Sequence, residues 1–245
     1  TTRDAHEFTG RCLVMIARYD YFVTGTDTNV GKTLVSAALV RAWATQGLKA
    51  AGMKPVAAGA ELRDGQWMNE DVAILSAESS VSLTTQEIAP FLFKEPAAPH
   101  VAAALEGKSI NASDIFSAFQ HIRTQTQAVI VEGVGGFCVP LTPQTDTADI
   151  AAELQLDVIL VVGLRLGCLN HALLTAEAIA ARGLRMAGWV VNQIDPSMPH
   201  QAANIDTLRE RLPAPCLGWV PWMALPSAAL VVDKLDFSQL PNWPN

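Results

Sequence analysis

The chain carries Gly25-Thr26-Asp27-Thr28-Asn29-Val30-Gly31-Lys32-Thr33 between an apolar run, Tyr21–Thr24, and an amphipathic stretch, Thr33–Thr45. A turn that joins a strand to a helix in this way points several backbone N–H groups and the positive end of the helix dipole at one place. In this pattern Lys32 would reach the β and γ oxygens of a nucleotide, and the Thr33 hydroxyl would ligate Mg²⁺. The common form of the motif has glycine at position 26, where this chain has threonine. The segment predicts a phosphate-binding loop.

Short apolar runs alternate with stretches of helical periodicity along the rest of the chain. Helices are predicted over Thr33–Thr45 and Asn170–Arg182, each followed closely by a glycine that suits a helix end. The predicted strands are Tyr21–Thr24, Ala50–Lys54, Ala128–Val131, Val158–Val162, Ala187–Val191 and Cys216–Val220. This alternation predicts an α/β fold with a doubly wound, mostly parallel sheet and helices on both faces. Together with the loop, it indicates the three α/β/α layers of a P-loop NTPase.

The composition limits the classes of partner. The chain has 245 residues, a formal net charge of −7 and 50% hydrophobic residues. Because a net negative charge repels polyanions, neither nucleic acid nor a membrane surface is expected as a partner. The apolar runs fall short of the ~20 residues that cross a bilayer, and Cys12–Ala17 is shorter than the apolar part of a secretion signal. The four cysteines lack zinc-site spacing. These features predict a cytoplasmic protein with reduced cysteines.

The alternation of strands and helices extends from about residue 19 to about residue 232. A segment of this length suits a single domain with a large buried core. We therefore expect one domain over residues 19–232, preceded by an N-terminal extension, residues 1–18. Residues 233–245 contain Pro241 and Pro244 and are expected to form a loose C-terminal tail.

Six segments carry a wider pattern: Tyr21–Thr33, Gly52–Val56, Glu95–His100, Val131–Gly136, Gly163–Thr175 and Gly188–Asn192. In this order they resemble the dethiobiotin synthetases, the ATP-dependent ligases of biotin synthesis. The resemblance extends from about residue 21 to about residue 223. It implies ring closure of 7,8-diaminononanoate with CO₂ (or bicarbonate as its source) and MgATP, through a carbamate and a carbamic–phosphoric mixed anhydride. It also implies a homodimer.

The resemblance assigns roles to charged residues that suit phosphoryl transfer, which needs charge neutralisation around the γ-phosphate. Lys54 and Lys32 are the implied catalytic lysines, and Lys54 would hold the carbamate and the γ-phosphate together. Thr33, Asp71 and Glu132 are the implied Mg²⁺ ligands, in agreement with the preference of this ion for oxygen. Glu132 directly follows the apolar run Ala128–Val131, at the edge of the sheet where α/β folds bind ligands.

The other implied site residues form two sets. Those that would contact the diamine substrate are Thr28, Lys54, Gly135 and Gly136. Those that would contact the nucleotide or its metal are Asn29, Val30, Gly31, Lys32, Thr33, Leu34, Asp71, Glu132, Gly133, Val134, Gly135, Asn192, Gln193, Pro221, Trp222 and Met223. Within this set Asn192 matches the position that reads adenine. Asn29 and Ala58 depart from the glutamate and the serine that other members carry there.

Two alternatives use the same phosphate loop. The first is another ATP-dependent ligase of the same group, acting on a different amine or acid. The second is a partitioning or positioning ATPase, whose nucleotide state controls binding to a partner, DNA or a membrane. Such switches usually carry an extra lysine early in the loop and a basic amphipathic tail. Because Gly25–Thr33 and Asp233–Asn245 show neither feature, the sequence favours the ligase.

Overall fold

The computed structural model describes residues 18–244 and contains a central sheet of six strands. The strands are all parallel and lie in the order β10-β9-β8-β1-β7-β2. They are β1 (Tyr19–Gly25), β2 (Ala50–Met53), β7 (Ala128–Glu132), β8 (Asp157–Gly163), β9 (Met186–Asn192) and β10 (Cys216–Val220). The six predicted strands are therefore confirmed, with ends shifted by one or two residues.

Helices cover both faces of this sheet, which confirms the predicted three layers. They are α1 (Lys32–Thr45), α2 (Glu70–Glu78), α3 (Thr85–Ile88), α4 (Pro99–Leu105), α5 (Ala112–Gln125), α6 (Thr147–Glu153), α7 (Cys168–Ala181), α8 (Gln201–Arg211) and α9 (Ala228–Val231). Successive residues of a strand point to opposite faces, so Phe22 lies in one apolar core and Tyr21 and Val23 in the other. The first core is covered by α4 to α8, and the second by α1 and α9.

Two small strand pairs lie outside the central sheet. One joins β3 (Val56–Ala57) to β6 (Phe91–Leu92), and the other is a hairpin of β4 (Glu61–Arg63) and β5 (Gln66–Met68). No strand was predicted from the sequence in this region. The hairpin residues are all exposed, and each strand has only three residues, so the sequence pattern is too short to indicate a strand. The hairpin leads into α2, whose N-cap Asn69 accepts a hydrogen bond from the Val72 amide.

The C-terminal segment packs on the second core, so the expectation that residues 233–245 are loose is wrong for the part that the structure describes. Phe237 and Leu240 are only 4% and 3% exposed. The Trp243 ring stacks on Trp43 of α1 at a centroid distance of 5.9 Å. In addition, the Tyr21 hydroxyl donates a hydrogen bond to the Pro241 carbonyl. Aromatic stacking and burial of apolar side chains fix this segment.

Residues 1–17 lie outside the described part of the chain, and with them most of the predicted N-terminal extension and the Cys12–Ala17 run. Between residues 18 and 244 no helix has the length and apolar character needed to cross a membrane. Among the residues that the structure describes, Cys138, Cys168 and Cys216 form no disulfide with one another. The division into domains stays a prediction.

Candidate active site

Residues of the predicted site lie at the carboxyl ends of five of the six strands of the central sheet. The phosphate loop follows β1, Lys54 follows β2, and Glu132 ends β7. Asn192 ends β9, and residues 221–223 follow β10. In a parallel sheet these ends share one edge, which is where ligands of open α/β folds bind. The fold therefore brings the predicted residues to one edge, and their individual roles stay predictions.

The phosphate loop has two residues in the left-handed region of the backbone. Asn29 has φ 58° and Gly31 has φ 94°. Asparagine tolerates this conformation better than most residues. At Gly31 a side chain is excluded for a second reason, because a Cβ would lie 2.2 Å from Asn192 Nδ2. Position 31 therefore requires glycine, which keeps the loop amides on one side open to a ligand.

Lys32 is 6% exposed, and its ammonium donates a hydrogen bond to the Asp27 carbonyl at 3.0 Å. Burial, together with the charge of Lys54, lowers the pKa of Lys32 from 10.5 to about 8, although nearby carboxylates oppose the shift. A bound anion would stabilise the buried Lys32 ammonium, which burial alone disfavours. The neighbouring Leu34 is partly buried against the second core, so its side chain contributes to packing.

Thr26 replaces the glycine of the common motif, and the structure gives the reason. Its amide donates to the Val161 carbonyl of β8 at 3.0 Å. Its Oγ1 accepts a hydrogen bond from the buried Gly163 amide at 3.2 Å. The threonine hydroxyl therefore satisfies a backbone group at the end of β8 and fixes the start of the loop.

Four side chains meet beside the phosphate loop. The Thr33 hydroxyl is 2.7 Å from Asp71 Oδ1 and 2.8 Å from Glu132 Oε1. Lys54 Nζ donates to Asp71 Oδ2 at 2.7 Å and to Glu132 Oε1 at 2.6 Å. Asp71 reaches this cluster from the first turn of α2. The cluster contains the three predicted metal ligands and one of the two predicted catalytic lysines.

The charges in the cluster compensate one another. Burial alone would lower the pKa of Lys54, but the charges and hydrogen bonds of Glu132 and Asp71 outweigh it, and the pKa lies above its usual value. Burial would raise the pKa of Asp71, yet the Lys54 charge and its hydrogen bond hold that pKa below the usual range. At neutral pH the Lys54 ammonium therefore lies beside an ionised Asp71 carboxylate.

Thr33, Asp71 and Glu132 fit a magnesium ion. The side-chain atoms that would bind the metal are all hydroxyl or carboxylate oxygens, the type that Mg²⁺ prefers. Glu132 Oε2 is buried and has no hydrogen-bond partner among the described residues. A buried carboxylate oxygen without a partner is costly and marks a place for a cation or water. Two carboxylates and one hydroxyl leave the other ligand positions to phosphate oxygens and water, as in most nucleotide sites.

The loop Gly133–Gly136 faces the phosphate loop. The Gly133 amide donates to the Val23 carbonyl of β1 at 2.9 Å, which anchors the start of this loop. Gly135 has φ 65°, and a Cβ there would lie 3.6 Å from Thr28 Oγ1. Thr28 and Gly135, two of the predicted substrate contacts, therefore lie close together. Val134 and Gly136 are half-buried in the same loop.

The predicted nucleotide residues from β9 and β10 are also linked. Asn192 is 8% exposed, and its Nδ2 donates to the Val30 carbonyl of the phosphate loop at 2.9 Å. Gln193 Oε1 accepts a hydrogen bond from the Trp222 amide at 3.1 Å. Pro221 and Trp222 are exposed at this edge, and Met223 packs on the second core. Asn192 thus supports the phosphate loop and retains an amide N–H and an oxygen for a base.

The contact between Asp27 and Arg165 was not predicted from the sequence. Their side chains form an ion pair between the phosphate loop and the turn after β8. The sequence did show an acidic residue, Asp27, in a loop predicted to bind anions. Such a residue is expected to have a cation nearby that compensates its charge. The position of that cation depends on the order of the strands, which the sequence alone did not define.

A family model described as an AAA domain matches residues 19–229. Among solved structures, the MinD cell division protein of Aquifex aeolicus aligns with a TM-score of 0.53 and 15% identity, covering 88% of this chain and 94% of that one. At this identity the likeness shows the P-loop fold alone, and it agrees with the predicted fold class.

Two curated relatives are much more similar. The chain is 52% identical over 234 residues to the ATP-dependent dethiobiotin synthetase BioD of Janthinobacterium sp. (strain Marseille), covering 94% of this chain and 99% of that protein. It is 54% identical over 215 residues to the protein of the same name from Aromatoleum aromaticum, covering 88% of this chain and 96% of that protein. The chain therefore belongs to the dethiobiotin synthetase family.

Proposed function

We propose that this chain is a ligase of biotin biosynthesis that makes dethiobiotin, ADP and phosphate from 7,8-diaminononanoate, CO₂ and MgATP. The observation that carries the proposal is the position of Lys54. Its buried ammonium lies beside Thr33, Asp71 and Glu132, next to the last turn of the phosphate loop. A fixed cation at this point suits a reaction in which two anions must be brought into line.

The proposed reaction has three steps. One amine of the substrate adds to CO₂ and loses a proton, which gives a carbamate. A carbamate oxygen attacks the γ-phosphorus, and ADP leaves, which gives the carbamic–phosphoric mixed anhydride. The second amine then attacks the carbamoyl carbon, loses a proton and expels phosphate, which closes the urea ring. Each step forms one bond to the reacting centre and needs no oxidant or reductant.

Charged residues and backbone amides would neutralise the negative charge of the phosphates and the carbamate. Lys54 would neutralise the carbamate and the γ-phosphate, and Lys32 would neutralise the β and γ oxygens. Thr33, Asp71 and Glu132 would hold Mg²⁺, which supplies charge neutralisation at the phosphates. The amides of Gly31 and of its neighbours in the loop would donate to phosphate oxygens.

The remaining proposed contacts lie at the two ends of the ligand site. Thr28, Gly135 and Gly136 would contact the diamine. The adenine would lie between Asn192 and the segment 221–223, because Asn192 has an amide that can pair with the base edge. Gln193 supports this arrangement through its hydrogen bond from the Trp222 amide.

The assembly and the location of the enzyme are also proposals. We propose a homodimer, on the basis of the family resemblance, that works in the cytoplasm, where MgATP is available. Neither nucleic acid nor a membrane is proposed as a partner, because the net charge of −7 opposes binding to polyanions. Light scattering coupled to gel filtration measures the mass of the particle and tests the dimer.

The positioning-ATPase alternative rests only on the shared fold. The structural likeness to MinD is at 15% identity, whereas the dethiobiotin synthetases are 52% and 54% identical. The decisive experiment measures phosphate release from MgATP with and without 7,8-diaminononanoate and bicarbonate. The ligase predicts release that depends on the diamine. Release that is independent of the diamine would refute the proposed function.

A further inference from the structure

The start of the phosphate loop is attached to the end of β8 at two consecutive residues. Thr26 exchanges hydrogen bonds with the backbone at Val161 and Gly163. The next residue, Asp27, forms an ion pair with Arg165, two residues beyond the end of β8. The first contact is a backbone anchor within the sheet. The second joins two charged side chains from different loops.

An acidic side chain is unfavourable in a loop that binds phosphates, because its charge repels the ligand. Asp27 nevertheless contacts two other residues of the loop: its Oδ1 accepts from the Thr28 amide at 2.7 Å, and its carbonyl accepts from Lys32 Nζ at 3.0 Å. The residue therefore fixes the shape of the turn. Its carboxylate needs compensation from a nearby cation.

Arg165 supplies this compensation. The side chains of Arg165 and Asp27 are 44% and 43% exposed. Pairs with this exposure contribute little to the free energy of unfolding. The main effect of Arg165 is therefore expected on the affinity for an anionic ligand rather than on folding. The Arg165 carbonyl also accepts a hydrogen bond from the Cys168 amide, so the same residue leads into α7.

We propose that Arg165 is a positioning residue for the nucleotide: it neutralises the Asp27 carboxylate and so holds the first half of the phosphate loop in a form that accepts a polyphosphate. This inference rests on the proposed function for the identity of the ligand as MgATP. The geometry of the Asp27–Arg165 pair is independent of that function. The effect is therefore measurable both on nucleotide binding and on turnover.

The test compares four variants, and the conservative change Arg165→Lys, with the wild type. Arg165→Met removes the cation and leaves Asp27 uncompensated. Asp27→Asn keeps an oxygen for the Thr28 amide and removes the charge. The double variant Asp27→Asn/Arg165→Met removes both charges. Arg185→Met is the matched control, because Arg185 pairs with Asp157 at the opposite end of β8 and is similarly exposed.

The measurements are the dissociation constant of a non-hydrolysable ATP analogue with Mg²⁺, by titration calorimetry, and KM for ATP and kcat in the full reaction. Arg165→Met should raise both the dissociation constant and KM about three- to tenfold, the size expected for an uncompensated charge at a partly exposed site. The double variant should recover most of this loss. A conservative Arg165→Lys change should stay close to the wild type, as should Arg185→Met.

Two results would overturn the proposal. The first is an Arg165→Met dissociation constant equal to that of Arg185→Met. The second is a double variant that binds no better than Arg165→Met, because the loss would then not come from the Asp27 charge. Thermal unfolding and particle mass, measured for each variant, separate these results from misfolding or a change of assembly. A wild type without diamine-dependent turnover would instead refute the proposed function, and the calorimetric comparison would still decide the role of Arg165.

Discussion

Lys54 Nζ lies 2.6 Å from Glu132 Oε1, and the two side chains are 5% and 0% exposed. These residues follow and end adjacent parallel strands, β2 and β7, so the sheet itself brings them together. A buried ion pair of this kind is costly to desolvate and rarely explains stability on its own. The pair lies beside Thr33 and Asp71, in the cluster for which we propose a catalytic role.

Replacing Lys54 by alanine should strongly slow ring closure. Removal of one preorganised cation from a reacting centre costs about 10²- to 10³-fold in rate. The contacts of Lys32 and of the loop amides remain, so nucleotide binding should persist. The measurements are kcat for dethiobiotin formation and the affinity for an ATP analogue with Mg²⁺.

The exposed Lys108, whose partner is Glu106, provides the control Lys108→Ala. It should leave both quantities unchanged. A Lys54→Ala enzyme that loses nucleotide binding but keeps its rate at saturating ATP would place Lys54 in binding rather than in catalysis. Because the variant leaves the buried Glu132 carboxylate without its cation, about 3 kcal/mol of stability is also at risk. Assays should therefore be run well below its unfolding temperature.

Replacing Thr33 by valine removes a hydroxyl and keeps the shape of the side chain. The hydroxyl oxygen lies 2.7 Å from Asp71 Oδ1 and 2.8 Å from Glu132 Oε1, within reach of donating its one hydrogen to either, and it is a proposed magnesium ligand. We expect the Mg²⁺ concentration for half-maximal activity to rise about tenfold or more. Thr33→Ser keeps the hydroxyl and should resemble the wild type. Equal magnesium dependence for the valine and serine variants would argue against a metal at this position.

Replacing Thr26 by alanine removes the acceptor for the Gly163 amide, which is buried at the end of β8. A buried donor left without a partner costs about 1–3 kcal/mol. Thr26→Ser retains the hydroxyl and is the matched control. Denaturant unfolding should show the loss for alanine alone. If both variants unfold like the wild type, the Thr26 hydroxyl is not a structural anchor.

Replacing Phe237 by alanine tests the packing of the C-terminal segment. The side chain is 4% exposed and stacks on Trp243 at 5.5 Å. Its loss should lower the free energy of unfolding by about 3 kcal/mol without changing KM for either substrate. The exposed Lys234 gives the control Lys234→Ala, expected within about 0.5 kcal/mol of the wild type. A small effect of Phe237→Ala would mean that this segment is only loosely attached.

Much of the fold was predictable because its strands are unusually apolar. Strands buried on both faces, such as Val158–Val162, appear in the sequence as continuous apolar runs. The hairpin β4–β5 gave no such signal, since its residues are exposed. The docking of Phe237 and Trp243 was missed because each is an isolated aromatic residue among polar residues and prolines. Their burial depends on Trp43, nearly 200 residues earlier in the chain.

The site was predictable to the extent that it lies at strand ends. Residues directly after an apolar run, such as Lys54 and Glu132, are placed by the parallel sheet alone. Asp71 required the family resemblance, because it lies in the first turn of a helix after the hairpin. The Asp27–Arg165 pair required the strand order, in which β8 is the neighbour of β1.

The proposed function is that this site joins CO₂ to a diamine at the expense of ATP. An isotope experiment supplies the enzyme with MgATP, 7,8-diaminononanoate and ¹³C-labelled bicarbonate, and measures dethiobiotin by mass spectrometry together with released phosphate. We predict one labelled carbon in each dethiobiotin molecule and one phosphate released for each product molecule. Phosphate release without labelled dethiobiotin would refute the proposed function.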